Sequence, residues 1–448
     1  EVGIVWAAGP LAGIFGQVII GLISDNVWFW GGRRRPFILI GGALAALTLL
    51  ALPNIHHISS FLGIENLMVV AIMVALTLDM AINISFNPTR SLIADVTPEG
   101  VQRTKGYTWM QTISGTFGVL AYAIGALLNN YVLIYFGVFL VFAFSVIPMF
   151  FIKESKELKT TADAQSEPQA KTTFGGALRV LEPLLGFIPF ALYFLVIKLA
   201  NIQVEQGVND SILIAFLIVQ LFFTFKVILR KEEGLSEGKA KEIGFKKVLA
   251  AHAYSWIGVQ TMFVYMFAYI KDVKYTGVTE LTDANNNEIG GIIAISFLIL
   301  NAVGALLPAT TLEPIAKKLG RVKTHYVAIG IMALGYLLIV LLKNTIADST
   351  IILYVVMAIV GIGWGAIVSL PFAIMSEKVD KTKMGFYMGI FNLSVVLPQL
   401  IVSLGIGTII QAADSKNIIF IISTSSLALS TFLWTFIKDK KVSKEQFE

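Results

Sequence analysis

The residue best able to do chemistry in this chain is Asp79, which interrupts the apolar run VVAIMVALTLDMAINISFN (69–87). A carboxylate in such a run is costly unless it is protonated, paired or facing water. Asn83, Asn87 and Arg90 follow at +4, +8 and +11, which at 100° per residue puts all four within roughly 80° of one helix face. The spacing predicts a polar stripe on which Asp79 takes up and releases a proton and Asn83 and Asn87 bind a solute. The alternative is a carboxylate fixed by a neighbouring helix.

Further amides sit near aromatics at helical spacing. Gln111 shares a face with Gly115, Gly118 and Tyr122, Gln260 with His252 and Trp256, and Asn392 with Gln399 and Ser403. Amides supply donors and acceptors and aromatics supply flat apolar faces, which together suit a small polar solute. Tying helices together is the plainer use of each amide. Trp364, among glycines in GIGWGAIVS, reads as packing, and His252 as a loop-edge residue. Lys198, Lys226 and Arg230 read as side chains that snorkel from helix ends. No His, Glu or Asp group has metal-ligand spacing, and cysteine is absent, so no metal, no cofactor and no thiol chemistry is expected. No nucleophile–base pair is present either, which argues against an enzyme.

The third set is charged and falls between apolar runs. Asp25 is followed seven residues later by Gly32-Arg33, and Glu313 seven residues later by Gly320-Arg321. PTRSLIADVTPEGVQRTKGYTWM (88–110) likewise has a counterpart in PFAIMSEKVDKTKMGFYM (371–388). Topology alone does not require acids at repeated positions. The pattern predicts a latch at one membrane face from Asp25, Arg33, Arg34, Arg35, Arg90, Asp95 and Arg103 in the first half. Glu313, Arg321, Glu377 and Lys383 would supply the second.

These residues need long membrane helices to position them. The 448-residue chain is 56% hydrophobic and 14% charged, against about 25% charged in ordinary soluble domains. Apolar runs of about 20 residues recur throughout, long enough to cross a bilayer. We read an all-α polytopic protein with about 13 spans: a bundle over 1–152, a linker over 153–181, a helix pair over 182–229, a second linker over 230–247, and a six-helix bundle with its tail over 248–448. Most of the 34 Lys and Arg fall on one side when loops are alternated, which puts that side and the C-terminus in the cytoplasm. The net charge of +5 is therefore a topology signal, and nucleic acid is not a partner. Two related halves with matching loops predict a transporter with its solute between them, near the midplane.

Gly21, Asp25, Gly32, Arg33 and Arg34 resemble the loop signature of the major facilitator superfamily. WAAGPLAGIFGQVIIGLISD (6–25), GGRRRPFILIG (31–41), LDMAINISFNPTRSLIADV (78–96) and MGIFNLSVVLPQLIVS (388–403) are similar, in order, to its sucrose:proton symporter branch, near the glycoside-pentoside-hexuronide:cation symporters. The resemblance implies two pseudo-symmetric helix bundles and proton-coupled uptake of a disaccharide such as sucrose or maltose. It assigns Asp79 to proton coupling and implies that the family's first helix precedes WAAGP and is absent here. The pair over 182–229 is extra to a twelve-helix plan. FAYIKDVKY (267–275) departs from the branch's acidic segment, which leaves the sugar open. Sodium coupling and a non-transporting sugar sensor are the alternatives, and a monomer in a bacterial inner membrane the expected setting.

Overall fold

The computed structural model describes residues 13, 16–128, 130–155, 174–200, 202–278 and 280–439. No strand occurs among them; one isolated bridge joins Phe29 and Gly32 in a loop. Helices dominate because a chain in hydrocarbon must satisfy its backbone polar groups internally.

The first half contains α1 (16–26), α2 (Arg35–Leu62), α3 (Leu67–Val96), α4 (Val101–Leu127) and α5 (Asn130–Phe151). Next come α6 (Phe187–Leu199) and α7 (Gln206–Ile228). The second half contains α8 (Glu237–Lys274), α9 (Asp283–Leu319), α10 (Arg321–Leu341), α11 (Thr350–Ser376), α12 (Lys381–Ala412) and α13 (Ile418–Trp434). Eight helices among the described residues are long and apolar enough to cross a membrane. Both α4 and α8 are long too, but polar side chains such as Thr104, Thr108, Gln260 and Thr261 interrupt them and turn inward.

Local sequence sets the helix ends. The Asn66 side chain accepts the Met68 N–H at 3.0 Å to start α3. A Thr282–Asn285 capping box starts α9. One reading is corrected here: residues 237–247, expected in a linker, form the first turns of α8. Glu237–Lys241 and Glu242–Lys246 ion pairs one turn apart extend the helix beyond the membrane.

Within the halves α2 packs on α3 and α5, α8 on α13, and α11 on α9 and α10. The halves meet along two seams, α4 on α9 and α3 with α1 on α12. On the second seam Gly21 and Gly385 let two backbones touch: a Cβ on Gly21 would lie 2.2 Å from the Gly385 carbonyl oxygen. Large apolar residues such as Phe139, Phe142 and Phe150 point outward from α5, as a lipid-facing surface requires.

The extra pair rides on the second half. Phe187 lies edge-on to Tyr254 of α8, and a Cβ on Gly405 of α12 would meet the Phe190 ring at 2.7 Å. Gln220 of α7 donates to Thr224, whose hydroxyl pairs with that of Tyr254 at 3.1 Å. At one end Glu182 takes two hydrogen bonds from Arg230, at 2.8 and 2.6 Å, and lies 3.2 Å from Lys226. Lys226 and Arg230 thus form an ion cluster rather than simply snorkelling. The Lys198 side chain and most of the linker over 153–181 lie outside the described residues.

Candidate functional site

Between the two seams lies a cavity of about 560 Å³, inside the roughly 300–1,000 Å³ range of small-molecule sites. Its first-half wall carries Gln17 of α1, Asn83, Phe86 and Arg90 of α3, and Gln111 of α4. Its second-half wall carries Trp256 of α8, Trp364 and Phe372 of α11, and Asn392 and Gln399 of α12. The helical spacing of the amides brought them here, because each wall is one face of two or three helices.

Arg90 is the one charged residue among these. It lies 3.8 Å from the Phe86 ring centroid and 4.4 Å from that of Phe372, with no ion-pair partner among the described residues. The sequence groups it with the latch, and in the structure it lines the cavity, because α3 turns it onto the face shared with Asn83. Asn83 accepts from Gln17 Nε2 at 2.9 Å and donates to the Asp79 carbonyl at 2.8 Å. Asn392 is 6% exposed, and its Nδ2 has no hydrogen-bond partner among the described residues. Gln399 Nε2 donates to Gln260 Oε1 at 3.3 Å, so Gln260 stands behind Gln399. Asp79 is half-buried one turn beyond Asn83 and is not among the residues lining the cavity. The Tyr122 side chain lies outside the described residues.

Asn87, expected to bind solute, lies in the seam below the cavity. Its Nδ2 donates to the carbonyls of Gln17 (2.6 Å) in its own half and Gly385 (3.0 Å) in the other. The Gly21–Gly385 contact closes over it and leaves it 1% exposed. It pins the halves together. His252 is also corrected: it is 1% exposed, deep in α8, and accepts the Trp256 N–H on Nε2 at 2.9 Å. Trp364, expected to be packing, reaches the cavity wall.

Toward the basic loops the halves are bolted by charge. Asp25, at the end of α1, accepts the N–H groups of Gly385 (2.9 Å) and Phe386 (2.7 Å) at the start of α12. A carboxylate there is stabilised by unpaired N–H groups and the helix dipole. Arg34 is fully buried and bonds Asp25 and Asp95. Arg33 pairs with Asp95 at 2.9 Å and reaches across to the Thr382 and Lys381 carbonyls. Arg103 donates to the Ser376 carbonyl at 3.3 Å, and Glu377 accepts the Gly100 N–H at 2.6 Å, so α11 and α4 are tied too. Glu377 also takes both guanidinium nitrogens of Arg321, at 2.6 and 2.7 Å.

The electrostatics follow from burial and pairing. Burial disfavours charge on Arg34, but Asp95 and Asp25 outweigh it and raise its pKa. Burial likewise opposes ionised Glu377, and the Arg321 bonds and charge hold it below the ordinary carboxylate value.

The repeat is only half symmetric. In each half an acid after the Pro-containing segment, Asp95 or Glu377, binds the arginine at the start of the preceding helix, Arg34 or Arg321. Asp25 then crosses to the other half, whereas Glu313 borders a small cleft beside Gly100 and Arg321 and has no ion pair among the described residues. Arg321 instead finds Asp439 at 3.3 Å. The Arg35 side chain folds back onto the Gly31 carbonyl, so only its backbone joins the cluster. Two acids escaped the sequence reading. Glu154 accepts the consecutive N–H groups of Arg33, Arg34 and Arg35, at 2.8–3.1 Å, and Asp439 accepts that of Val322. The signal for Glu154 is that α2 starts with no capping side chain or first-turn acid of its own.

Comparison with known proteins bears on this arrangement. The family model described as Major Facilitator Superfamily matches residues 1–403. The Arabidopsis thaliana sucrose transport protein SUC4 is 24% identical over 433 residues, covering 90% of this chain and 76% of that protein. A general alpha-glucoside permease of Schizosaccharomyces pombe is 34% identical over 130 residues, 28% of this chain and 23% of that one. Among solved structures, the human organic anion transporter MFSD10 superposes with a TM-score of 0.65 at 14% identity, over 96% of this chain and 83% of that one. The E. coli fucose:proton symporter FucP gives 0.60 at 12% identity, over 98% and 92%. Two helix bundles around a central cavity, and a family match over residues 1–403, make the conclusion plain: the chain belongs to the Major Facilitator Superfamily of membrane transporters.

Proposed function

We propose that this protein is a saccharide:proton symporter working by alternating access, with a disaccharide as solute and Asp79 as the proton-coupling group. The observation that carries the reading is the cavity between the halves. Amides, indole rings and a guanidinium that can donate to hydroxyl oxygens suit a solute rich in hydroxyls, with carbon faces. The unpartnered Asn392 amide supports it, because a buried donor without an acceptor is costly until a solute oxygen arrives. The sucrose transport and alpha-glucoside relatives favour the same solute class.

The positive-inside rule assigns the latch to the cytoplasmic face. The cavity is then sealed from the cytoplasm, as an outward-facing carrier is. Solute and proton binding release the Asp25, Arg103 and Glu377 bonds, the halves rock, and both cargoes leave inside. Both walls of the cavity come from one chain, and the working unit proposed is a monomer. A proton moving down about 100 mV supplies about 2.3 kcal/mol, and each pH unit adds about 1.4 kcal/mol. One proton thus supports accumulation of several hundredfold.

The test is uptake and counterflow of labelled mono- and disaccharides in proteoliposomes, with internal pH recorded during uptake, in sodium-free and sodium-containing buffer. Solute-dependent acidification without sodium is expected. Asp79→Asn should lose accumulation driven by a pH gradient while keeping counterflow, and undiminished accumulation would remove Asp79 from the mechanism. Sodium-dependent uptake at constant internal pH would replace the proton, and binding without movement would make the protein a sensor.

A further inference from the structure

The two tryptophans at the cavity are held in an unusual way for donors beside a polar solute: both indole N–H groups are tied back into the protein. Trp256 donates to His252 Nε2 at 2.9 Å, and Trp364 donates to Asn301 Oδ1 at 3.2 Å. The rings meet edge to face, with centroids 6.0 Å apart and planes 79° apart, and form a corner. Each tie has its own support. His252 is fixed by stacking on Phe391 at 4.8 Å and 17°, and because Nε2 accepts, its own proton sits on Nδ1. Asn301 is oriented by donating to the Phe297 carbonyl at 2.8 Å. Gly304 makes room for the second ring, since a Cβ there would fall 2.5 Å from Trp364 Cδ1.

With its N–H engaged, an indole offers the cavity only carbon. The opposite wall carries Arg90, Asn83 and Gln111, and Asn392 and Gln399 add amides on the indoles' own side, so the two rings are the carbon surface within a polar lining. We infer that Trp256 and Trp364 form the surface that recognises the C–H face of a pyranose ring, and that His252 and Asn301 are positioning residues that turn the indole donors away from it. This rests on the saccharide reading above and sharpens it. A pyranoside has a contiguous C–H face, which suits the indoles, and a rim of hydroxyls, which suits the amides and the guanidinium around them. An acyclic polyol with as many hydroxyls has no such face.

The test compares half-saturation constants for sucrose and maltose counterflow in the full chain, with sorbitol as competitor. His252→Leu leaves the Trp256 donor without an acceptor and should raise the constant about tenfold. His252→Gln supplies an amide oxygen and should restore it. In a Trp256→Phe background, which has a ring but no donor to hold, His252→Leu should add nothing further. Asn301→Leu should behave in the same way toward Trp364→Phe. A purely structural role predicts equal losses in both backgrounds, and that result would overturn the proposal, as would equal competition by sorbitol. If the unaltered protein moves neither sugar, the saccharide reading falls and this one with it. If it moves them and the variants match it, only the aromatic surface falls.

Discussion

Among single residues, Arg90 and Asn87 separate what one helix face had grouped. Both lie on the stripe begun by Asp79, yet Arg90 faces the cavity between two phenyl rings and Asn87 faces the seam. A flat guanidinium can lie between two rings, and a lysine ammonium cannot reproduce that fit. Arg90→Lys should therefore raise the half-saturation constant by about tenfold while leaving the thermal midpoint of the purified protein unchanged. Asn87→Ala should do the reverse. It removes two bonds within a half, to the Gln17 carbonyl and from the Ser91 hydroxyl, and one between halves, so the solute constant should move little while the basic face opens more readily. A half-saturation constant altered as strongly as in Arg90→Lys would return Asn87 to the solute site.

The consequential contacts between elements are those at the start of α12 and the start of α4. Asp25 and Glu377 each deliver a carboxylate to backbone N–H groups across the seam. Asp25→Asn keeps the shape but loses the charge-assisted bonds. That should weaken the closed latch by about 2 kcal/mol, which shifts a two-state ratio roughly thirtyfold. The absence of cysteine gives a clean readout. Val368 of α11 also lines the cavity, and in a Val368→Cys background the thiol should react faster with an impermeant reagent applied from the latch side; an unchanged rate would contradict the latch. The pH dependence has a definite sign. Glu377 titrates below its ordinary 4.5 when folded, so its contribution is intact above that pH and is lost as pH falls through the folded value. Acidifying the latch side below 4.5 should raise the labelling rate relative to that of a permanently exposed reference thiol at the same pH, since loss of thiolate slows both, and Glu377→Gln should reduce that rise to the share carried by Asp25, whose pKa burial raises.

For the whole molecule, the extra pair is part of the second half's body. Its apolar contacts run to α8 and α12, and Glu182 gathers Arg230, Lys226 and Lys246 at one end. Glu182→Gln leaves three cations facing one another and should cost about 1 kcal/mol for a partly exposed cluster. The expected result is a thermal midpoint lowered by a few degrees with solute affinity retained. A loss of affinity instead would mean that the pair shapes the cavity as well as bracing its outer wall.

The sequence by itself determined the membrane class, the succession of helices, the paired halves, and the residues on each helix face. Those features follow from hydropathy, from 3.6-residue periodicity and from charge spacing, which are properties of a chain taken a segment at a time. Only the tertiary structure decided what each face meets. It put Asn87 in the seam rather than the cavity, turned Arg90 inward and Arg35 back, and drew Trp364 and His252 into the site. It also replaced Glu313 by Asp439 beside Arg321 and brought Glu154 to the start of α2. These are contacts between segments far apart in the chain. Whether a side chain is pin, latch or lining depends on which helix crosses it at that height, and periodicity within one helix carries no record of the crossing.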